Sequence, residues 1–108
     1  MSLQNLLGIS LDALAPDKAQ LGKLLAAAQR NIDDSQLAGL SAENRFDAAY
    51  KAIMQLAMVA LHANGFRTLS SKPGHHQTAI QTLTLTVGLP QPQVILLDAL
   101  RKQRNLSD

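Results

Sequence analysis

Two short basic segments hold most of the residues in this chain that could perform chemistry. The first is Lys72-Pro73-Gly74-His75-His76, which precedes a stretch with helical periodicity. Exposed amides at the start of a helix favour anions, and a lysine beside two histidines strengthens that preference. The segment therefore predicts a phosphate- or nucleotide-binding site formed by Lys72, His75 and His76. The alternative is a solvated loop in which one histidine caps the helix or packs against it.

The second segment is LRKQRN, residues 100–105, near the end of the chain. Its three cations complement the negative end of a helix dipole, which is a sufficient structural reason for them. Arg101 and Arg104 could equally bind phosphate groups, and the affinity for such a ligand would then fall as the salt concentration rises. No aromatic residue accompanies them, so stacking on single-stranded bases is not supported. The residues alone leave both interpretations open.

The residue types exclude several classes of catalytic site. The 108-residue chain has no cysteine, which rules out a Cys nucleophile, a disulfide framework and a thiolate zinc site. It has one glutamate, Glu43, so a carboxylate pair would have to use Asp33-Asp34, which is predicted to be a solvated loop. No phosphate loop, dinucleotide fingerprint or His-Glu-x-x-His helix occurs. Neighbouring residues on a helix point about 100° apart, so His75 and His76 cannot easily bind the same metal ion, and no metal site is predicted. No cofactor is expected either.

The composition predicts an all-α domain. Twenty Leu and sixteen Ala outnumber eight Ile or Val and three aromatic residues. Leu and Ala favour helices, whereas strands favour β-branched and aromatic residues. The length allows one domain over residues 1–108, and an up-and-down bundle of four to five helices is expected. Pro and Gly divide the chain into four predicted helices: Asp17–Ile32, Ala42–Asn64, His75–Val87 and Pro92–Asn105.

The second of these helices is predicted to lie at the centre of the bundle. Ser41 is a suitable N-cap, and Gly65 suits the left-handed position that ends a helix. Nearly all residues from Phe46 to Ala63 are apolar outside one narrow polar stripe. A helix that is apolar over most of its girth is buried on more than one side. It is therefore either central in the domain or shared with a second subunit.

The third predicted helix permits a second interpretation. Residues 82–87, TLTLTV, alternate with the period of a strand, whereas Ile80, Leu83 and Val87 have helical spacing. Nothing else in the chain reads as a strand, and a lone strand would be unstable. A helix is therefore predicted here.

Charge and hydropathy indicate where the protein resides. The net charge of +2 is too small to identify a polyanion partner by itself. The N-terminus has no basic run before its Leu-rich stretch, and the most apolar run, Ala52–Phe66, is too short to span a bilayer. A cytoplasmic protein without membrane association is expected.

Four stretches occur in an order that is typical of one family. They are RFDAAY at 45–50, ALHANGFR at 60–67, GHH at 74–76 and RKQRN at 101–105. Together, over residues 40–105, they resemble the HEPN superfamily of small helical domains associated with nucleotide binding. The resemblance implies a bundle that pairs as a homodimer, often beside a nucleotidyltransferase-type partner in toxin–antitoxin modules.

The resemblance also implies a metal-independent ribonuclease motif. The motif is an Arg followed by a polar residue, with a His four to six positions further on. Arg104 and Asn105 match its first half and are the implied catalytic residues, with the Arg holding the scissile phosphate and the His acting in acid–base attack. The His would fall at 109–111, beyond this sequence. Catalysis is therefore expected to be weak or absent, and the bundle is expected to continue into another helix.

The segments lead to three functional hypotheses. In the first, which follows from the resemblance, the chain is a dimeric HEPN-like module that binds RNA or a nucleotide, with catalysis weak or lost, in one basic groove lined by Lys72, His75, His76, Arg101 and Arg104. In the second, the protein is a helical interaction or dimerisation domain whose long apolar helix docks onto a partner, with no nucleic-acid ligand. In the third, it is an active ribonuclease in which His75 or His76 supplies the missing acid–base group.

Overall fold

The prediction of an all-α bundle is confirmed by the computed structural model, which describes residues 2–69 and 74–107. Within these ranges no helix is both long and apolar enough to cross a lipid bilayer. A short 3-10 turn, Leu3–Leu6, precedes the first strand. The elements that follow are β1 (Leu11–Ala13), α1 (Lys18–Ser35), α2 (Ala42–Ala63), β2 (Phe66–Thr68), α3 (His75–Gln81), α4 (Leu83–Val87) and α5 (Gln91–Ser107).

The predicted position of α2 is confirmed, as are its two ends. The Ser41 hydroxyl accepts a hydrogen bond from the backbone N–H of Asn44 at 3.1 Å, which caps the helix. After the helix, Gly65 has φ +89°, a left-handed conformation that a side chain would strain. Between these ends α2 contacts α1, α3, α4, α5 and β2. It is the element around which the described part of the chain is assembled.

The core forms where α2 meets its neighbours. Leu11 from β1, Leu61 from α2 and Ile80 from α3 are the largest side chains with no exposed surface. Burying a side chain of this size stabilises the fold by about 1.5–3 kcal/mol. The buried residues that α2 itself contributes are Ala48, Tyr50, Ala52, Met54, Ala57 and Leu61.

The two strands contradict the prediction that the chain has no strand pattern outside residues 82–87. β1 and β2 pair antiparallel, with Leu11 opposite Thr68. Across the pair, the Arg67 guanidinium donates a hydrogen bond to the Asp12 carboxylate at 3.0 Å. Each strand has only three residues. Three residues are too few to show the alternation of apolar and polar side chains that marks a strand, because the same three residues also fit the spacing of a helix.

The first helix is longer than its apolar pattern indicates. Asp17 is the N-cap of this helix, and its carboxylate accepts a hydrogen bond from the Ala19 backbone N–H at 2.9 Å. The helix continues through Asp33-Asp34, so the prediction of a loop there is wrong, whereas the predicted solvent exposure is confirmed. Both side chains are exposed. The Gln29 side-chain amide donates to the Asp33 carboxylate at 3.0 Å, one turn along the helix, and supports the extension.

The third predicted helix is helical but divided into two. α3 ends at Gln81 and α4 begins at Leu83, with buried Thr82 between them. The Thr82 hydroxyl donates to the backbone carbonyl of Ala79 at 3.1 Å. A hydroxyl that competes for backbone partners in this way weakens a continuous helix. The strand alternative for this segment is wrong.

We expect Leu61→Ala to lower the free energy of unfolding by about 2–5 kcal/mol, because it leaves a cavity in the core cluster that also contains Leu11 and Ile80. Urea denaturation followed by circular dichroism measures this change. The matched control is Leu56→Ala on the same helix, whose side chain is 42% exposed and whose loss should cost much less. Equal costs for the two variants would contradict the described packing of α2.

Candidate functional site

The two basic segments meet at a cleft between the start of α3 and the C-terminal half of α5. The cleft has a volume of about 210 Å³. We refer to it as the α3–α5 cleft. Its walls are formed by Gly74, His75, His76 and Gln77 from the α3 side and by Arg101 and Asn105 from α5.

Local structure explains why these side chains converge. Arg101 and Asn105 are four residues apart in α5 and therefore lie on one face of the helix, as does Arg104 beside them. Ile80 of α3 and Val94 of α5 are both buried in the same core cluster as α2. This packing holds α3 against α5, so residues more than twenty positions apart in sequence share one cleft.

The two histidines lie edge to face at the cleft. The ring centroids of His75 and His76 are 4.6 Å apart, with an angle of 78° between the ring planes. The Nδ1 atom of His76 is 3.3 Å from the hydroxyl oxygen of Tyr50 and forms a hydrogen bond with it. In residues 2–69 and 74–107, no group of three or more His, Cys, Asp or Glu side chains is arranged to hold a metal ion.

Partial burial of the His76 ring lowers its pKa below the ordinary value. The positive charges of His75, Arg104 and Arg101 lower it further, in that order. His76 is therefore mainly neutral at pH 7, and one ring nitrogen can accept a hydrogen bond or a proton.

Tyr50 connects α2 to the cleft. The residue is only 4% exposed, and its hydroxyl is the group that meets His76. Burial raises the pKa of Tyr50, while the charges of Arg104 and Arg101 act in the opposite direction. The phenol therefore stays protonated at neutral pH and keeps its proton for hydrogen bonding.

Arg104 stands beside the cleft, against Tyr50. Its guanidinium carbon lies 5.2 Å from the centroid of the Tyr50 ring, within the range of a cation–π contact. Its Nε atom is 3.5 Å from a carboxylate oxygen of Asp47. Tyr50 and Asp47 are three residues apart on α2, so one face of that helix holds the arginine.

Arg101 is held by a carboxylate of its own helix. Its Nε donates to Asp98 at 2.8 Å, and the Nζ of Lys102 lies 3.6 Å from the other oxygen of the same carboxylate. The hydrogen bond from Arg101 is the main reason that the pKa of Asp98 lies below its usual range. Because Asp98 binds through Nε, the terminal amino groups of Arg101 keep the fork geometry that suits phosphate.

The structure thus brings together His75, His76, Arg101 and Asn105, with Arg104 adjacent. Lys72 lies outside the described residues. Sequence reasoning missed Gln77, which lines the cleft, and the three residues that hold the others in place, Tyr50, Asp47 and Asp98. The sequence carried two signals for them. Tyr50 is a polar aromatic residue in an apolar helix, where a buried hydroxyl needs a partner, and Asp98 stands three residues before Arg101.

Comparison with known proteins does not assign a role to this cleft. No protein-family model, no curated protein and no solved structure matches the chain. The chemistry of the side chains in and beside the cleft therefore carries the functional argument, and the HEPN resemblance stays a prediction.

We expect His76 to titrate below about 6.5, the ordinary value for histidine. Replacing Arg104 by Gln should raise the pKa of His76, because a nearby positive charge that opposes protonation is removed. Proton NMR of the imidazole signals against pH measures both values. Arg30→Gln, which removes a charge from exposed α1, is the matched control and should change nothing. A His76 pKa above 6.5, or equal responses to both variants, would contradict this geometry.

Proposed function

We propose that this chain is a HEPN-like helical module that binds RNA or a nucleotide by its phosphate groups at the α3–α5 cleft, with weak or absent cleavage. One observation carries the proposal. His75 and His76, from one predicted segment, share a cleft with Arg101 and Asn105, from the other. Neither segment alone distinguishes a functional cluster from helix capping, whereas their convergence on one concave surface favours a ligand.

The side chains in the cleft suit a phosphate group. The guanidinium of Arg101 offers two parallel N–H donors to phosphate oxygens, and the Asn105 amide and the imidazole rings can add neutral donors. Arg104 contributes a second positive charge at the edge. The carboxylates of Asp98 and Asp47 each offset part of this charge, so the surroundings are only mildly positive and an affinity in the weak range is expected.

The dimensions of the cleft favour recognition of the backbone over recognition of bases. Its volume of about 210 Å³ lies below the roughly 300–1,000 Å³ of pockets that enclose a drug-sized ligand. The phenol ring beside the cleft, that of Tyr50, is buried and offers no face for a base to stack on. Contacts with phosphate carry no sequence information, so binding should be independent of sequence.

The cleft also contains one group that ribonuclease chemistry needs. His76 could accept a proton from a 2′-hydroxyl only in the tautomer whose unprotonated nitrogen faces the ligand, and Arg104 could stabilise the negative charge that develops on the phosphate. A second group must protonate the leaving oxygen, and His75 is the nearest candidate. Arg104 and Asn105 keep the catalytic roles that the resemblance implies for them, as part of the proposal.

The proposal predicts salt-sensitive binding of single-stranded RNA. We expect Arg101→Ala to weaken binding and to reduce the slope of log affinity against log salt by about 0.7, the value for one phosphate contact on a single strand. Arg104→Ala should act in the same direction. Fluorescence anisotropy of a labelled RNA in EDTA at several salt concentrations measures the slope, and a gel of the same samples detects cleavage.

Arg30→Ala is the control for that experiment, because it removes the same charge from α1. An RNA affinity that does not change with salt concentration would contradict a phosphate site at the cleft. So would an equal loss of affinity in Arg30→Ala and Arg101→Ala. Cleavage in EDTA that disappears in Arg104→Ala would favour the ribonuclease hypothesis over the binding module.

An apolar groove favours the second hypothesis, a dimerisation or protein-docking role. The groove has a volume of about 490 Å³ and lies between α2 and α4. Two of its side chains, Leu56 and Val87, are 42% and 63% exposed. Exposed apolar surface of this kind is typical of interaction sites, and it suits the homodimer or the nucleotidyltransferase-type partner that the resemblance implies. The apolar residues of the groove are Ile53, Leu56, Ala57, Val59, Ala60, Ala63, Leu83 and Val87.

If α2 pairs two copies of the chain, Leu56→Asp should convert a dimer to a monomer. The substitution places a charge in the groove, and the monomer should tolerate it because Leu56 is already exposed. Light scattering coupled to size-exclusion chromatography measures the mass, and circular dichroism confirms the fold. A wild-type monomer, or a dimer that survives Leu56→Asp, would contradict this role for the groove.

A further inference from the structure

Tyr50 contacts one side chain on each side of the α3–α5 cleft, His76 on α3 and Arg104 on α5. Its hydroxyl oxygen is 3.3 Å from Nδ1 of His76 on α3. The face of its ring lies 5.2 Å from the guanidinium carbon of Arg104 on α5. The residue itself belongs to α2 and is part of the buried core cluster. One fixed side chain of the central helix thus contacts a side chain from each of the two helices that form the cleft.

We infer that Tyr50 is a positioning residue that fixes the orientation of His76 and of Arg104 toward the α3–α5 cleft. The effect on His76 follows from contacts within the protein. The consequence for a ligand rests on the proposed function. The two parts are therefore tested by separate measurements.

The hydrogen bond determines which nitrogen of His76 is available. Tyr50 has a proton to donate, and neutral His76 has one unprotonated nitrogen to receive it. When the hydroxyl donates to Nδ1, the ring proton is held on Nε2. Nε2–H then faces the ligand as a donor to a phosphate or ribose oxygen, and no basic nitrogen of the ring is left for the ligand, in keeping with weak or absent cleavage. The bond also limits rotation of the ring, since Nδ1 must stay near a hydroxyl that cannot move.

The immobility of Tyr50 follows from its burial. With 4% of its surface exposed, the ring has no space to adopt another rotamer without opening the core. Arg104 is held against this fixed ring from a second side by Asp47, at 3.5 Å. The guanidinium therefore has two anchors on α2, and α2 sets its distance from the cleft.

Packing alone would not require the hydroxyl. A phenylalanine would fill the same volume and would still present a ring face to Arg104, so Tyr50→Phe removes only the hydrogen bond to His76. The charged groups that face His76 are His75 on its own helix and Arg101 and Arg104 on α5. Tyr50→Phe changes none of them, so a change in His76 in this variant reports the hydroxyl.

The first test is NMR of the imidazole nitrogens in the free protein. We expect neutral His76 to be predominantly the Nε2–H tautomer in the wild type and a mixture of tautomers in Tyr50→Phe. The pKa of His76 should rise in the variant, because the lost donor stabilised the neutral ring. Arg104→Gln, which keeps the hydroxyl, should leave the tautomer unchanged. An identical tautomer and pKa in wild type and Tyr50→Phe would overturn the inference.

A second test needs no substitution and does not depend on the variant folding. The chain has one tyrosine, so incorporation of 3-fluorotyrosine places a single fluorine reporter at Tyr50. We expect its ¹⁹F signal to shift with the same midpoint as the His76 titration. A ¹⁹F signal that is constant through that titration would overturn the inference.

The ligand consequence is measured on the same samples with single-stranded RNA. We expect Tyr50→Phe to weaken binding by about two- to tenfold, the range for one net hydrogen bond. If wild-type protein binds no RNA, the proposed function fails while the NMR result still decides whether Tyr50 positions His76. If RNA binds equally to both proteins, the cleft does not use His76, and the positioning role for ligand is overturned.

Discussion

Burial of α2 is the constraint on which the rest of the structure depends. Over most of its length this helix has no polar face wide enough to be left in water, so other elements must cover it. The helices α1, α3, α4 and α5 and the strand β2 all contact it. The coverage is incomplete, since Leu56 remains 42% exposed along the groove with α4. The fold and the apolar groove are thus two consequences of one helix.

The geometry of the candidate site also depends on the burial of α2. Tyr50 faces inward from α2, and its buried hydroxyl requires a partner, which His76 provides. One turn earlier, Asp47 reaches Arg104 from the same helix. The basic side chains that could bind phosphate are therefore fixed by groups that also neutralise part of their charge. Such an arrangement favours a defined geometry over strong attraction, which suits a weak, salt-sensitive site.

The sequence was informative where a single residue type has one dominant physical role. Asp17 and Ser41 were recognisable as N-caps because their short polar side chains accept backbone N–H bonds. Gly65 was recognisable because few other residues tolerate positive φ. The convergence of His75 and Arg101 followed from the resemblance and could not be derived from spacing, because it depends on how α3 and α5 pack.

Other features were beyond the reach of a one-dimensional pattern. The three-residue strands are held by pairing between β1 and β2, which are more than fifty residues apart, and pairing leaves no local signal. The break between α3 and α4 occurs at Thr82, whose hydroxyl donates a hydrogen bond to the backbone carbonyl of Ala79. The contact between Tyr50 and His76 depends on how α3 packs against α2, which no local pattern records.

We propose that a ligand bearing phosphate binds between α3 and α5. The most direct measurement is a map of backbone amide shifts in ¹⁵N–¹H NMR spectra as a short RNA of uniform sequence is added. We expect the largest shifts at residues 74–77 and 101–105, and we expect them to diminish as salt is raised. Shifts concentrated along the α2–α4 groove, or scattered over the surface with no salt dependence, would contradict this proposal.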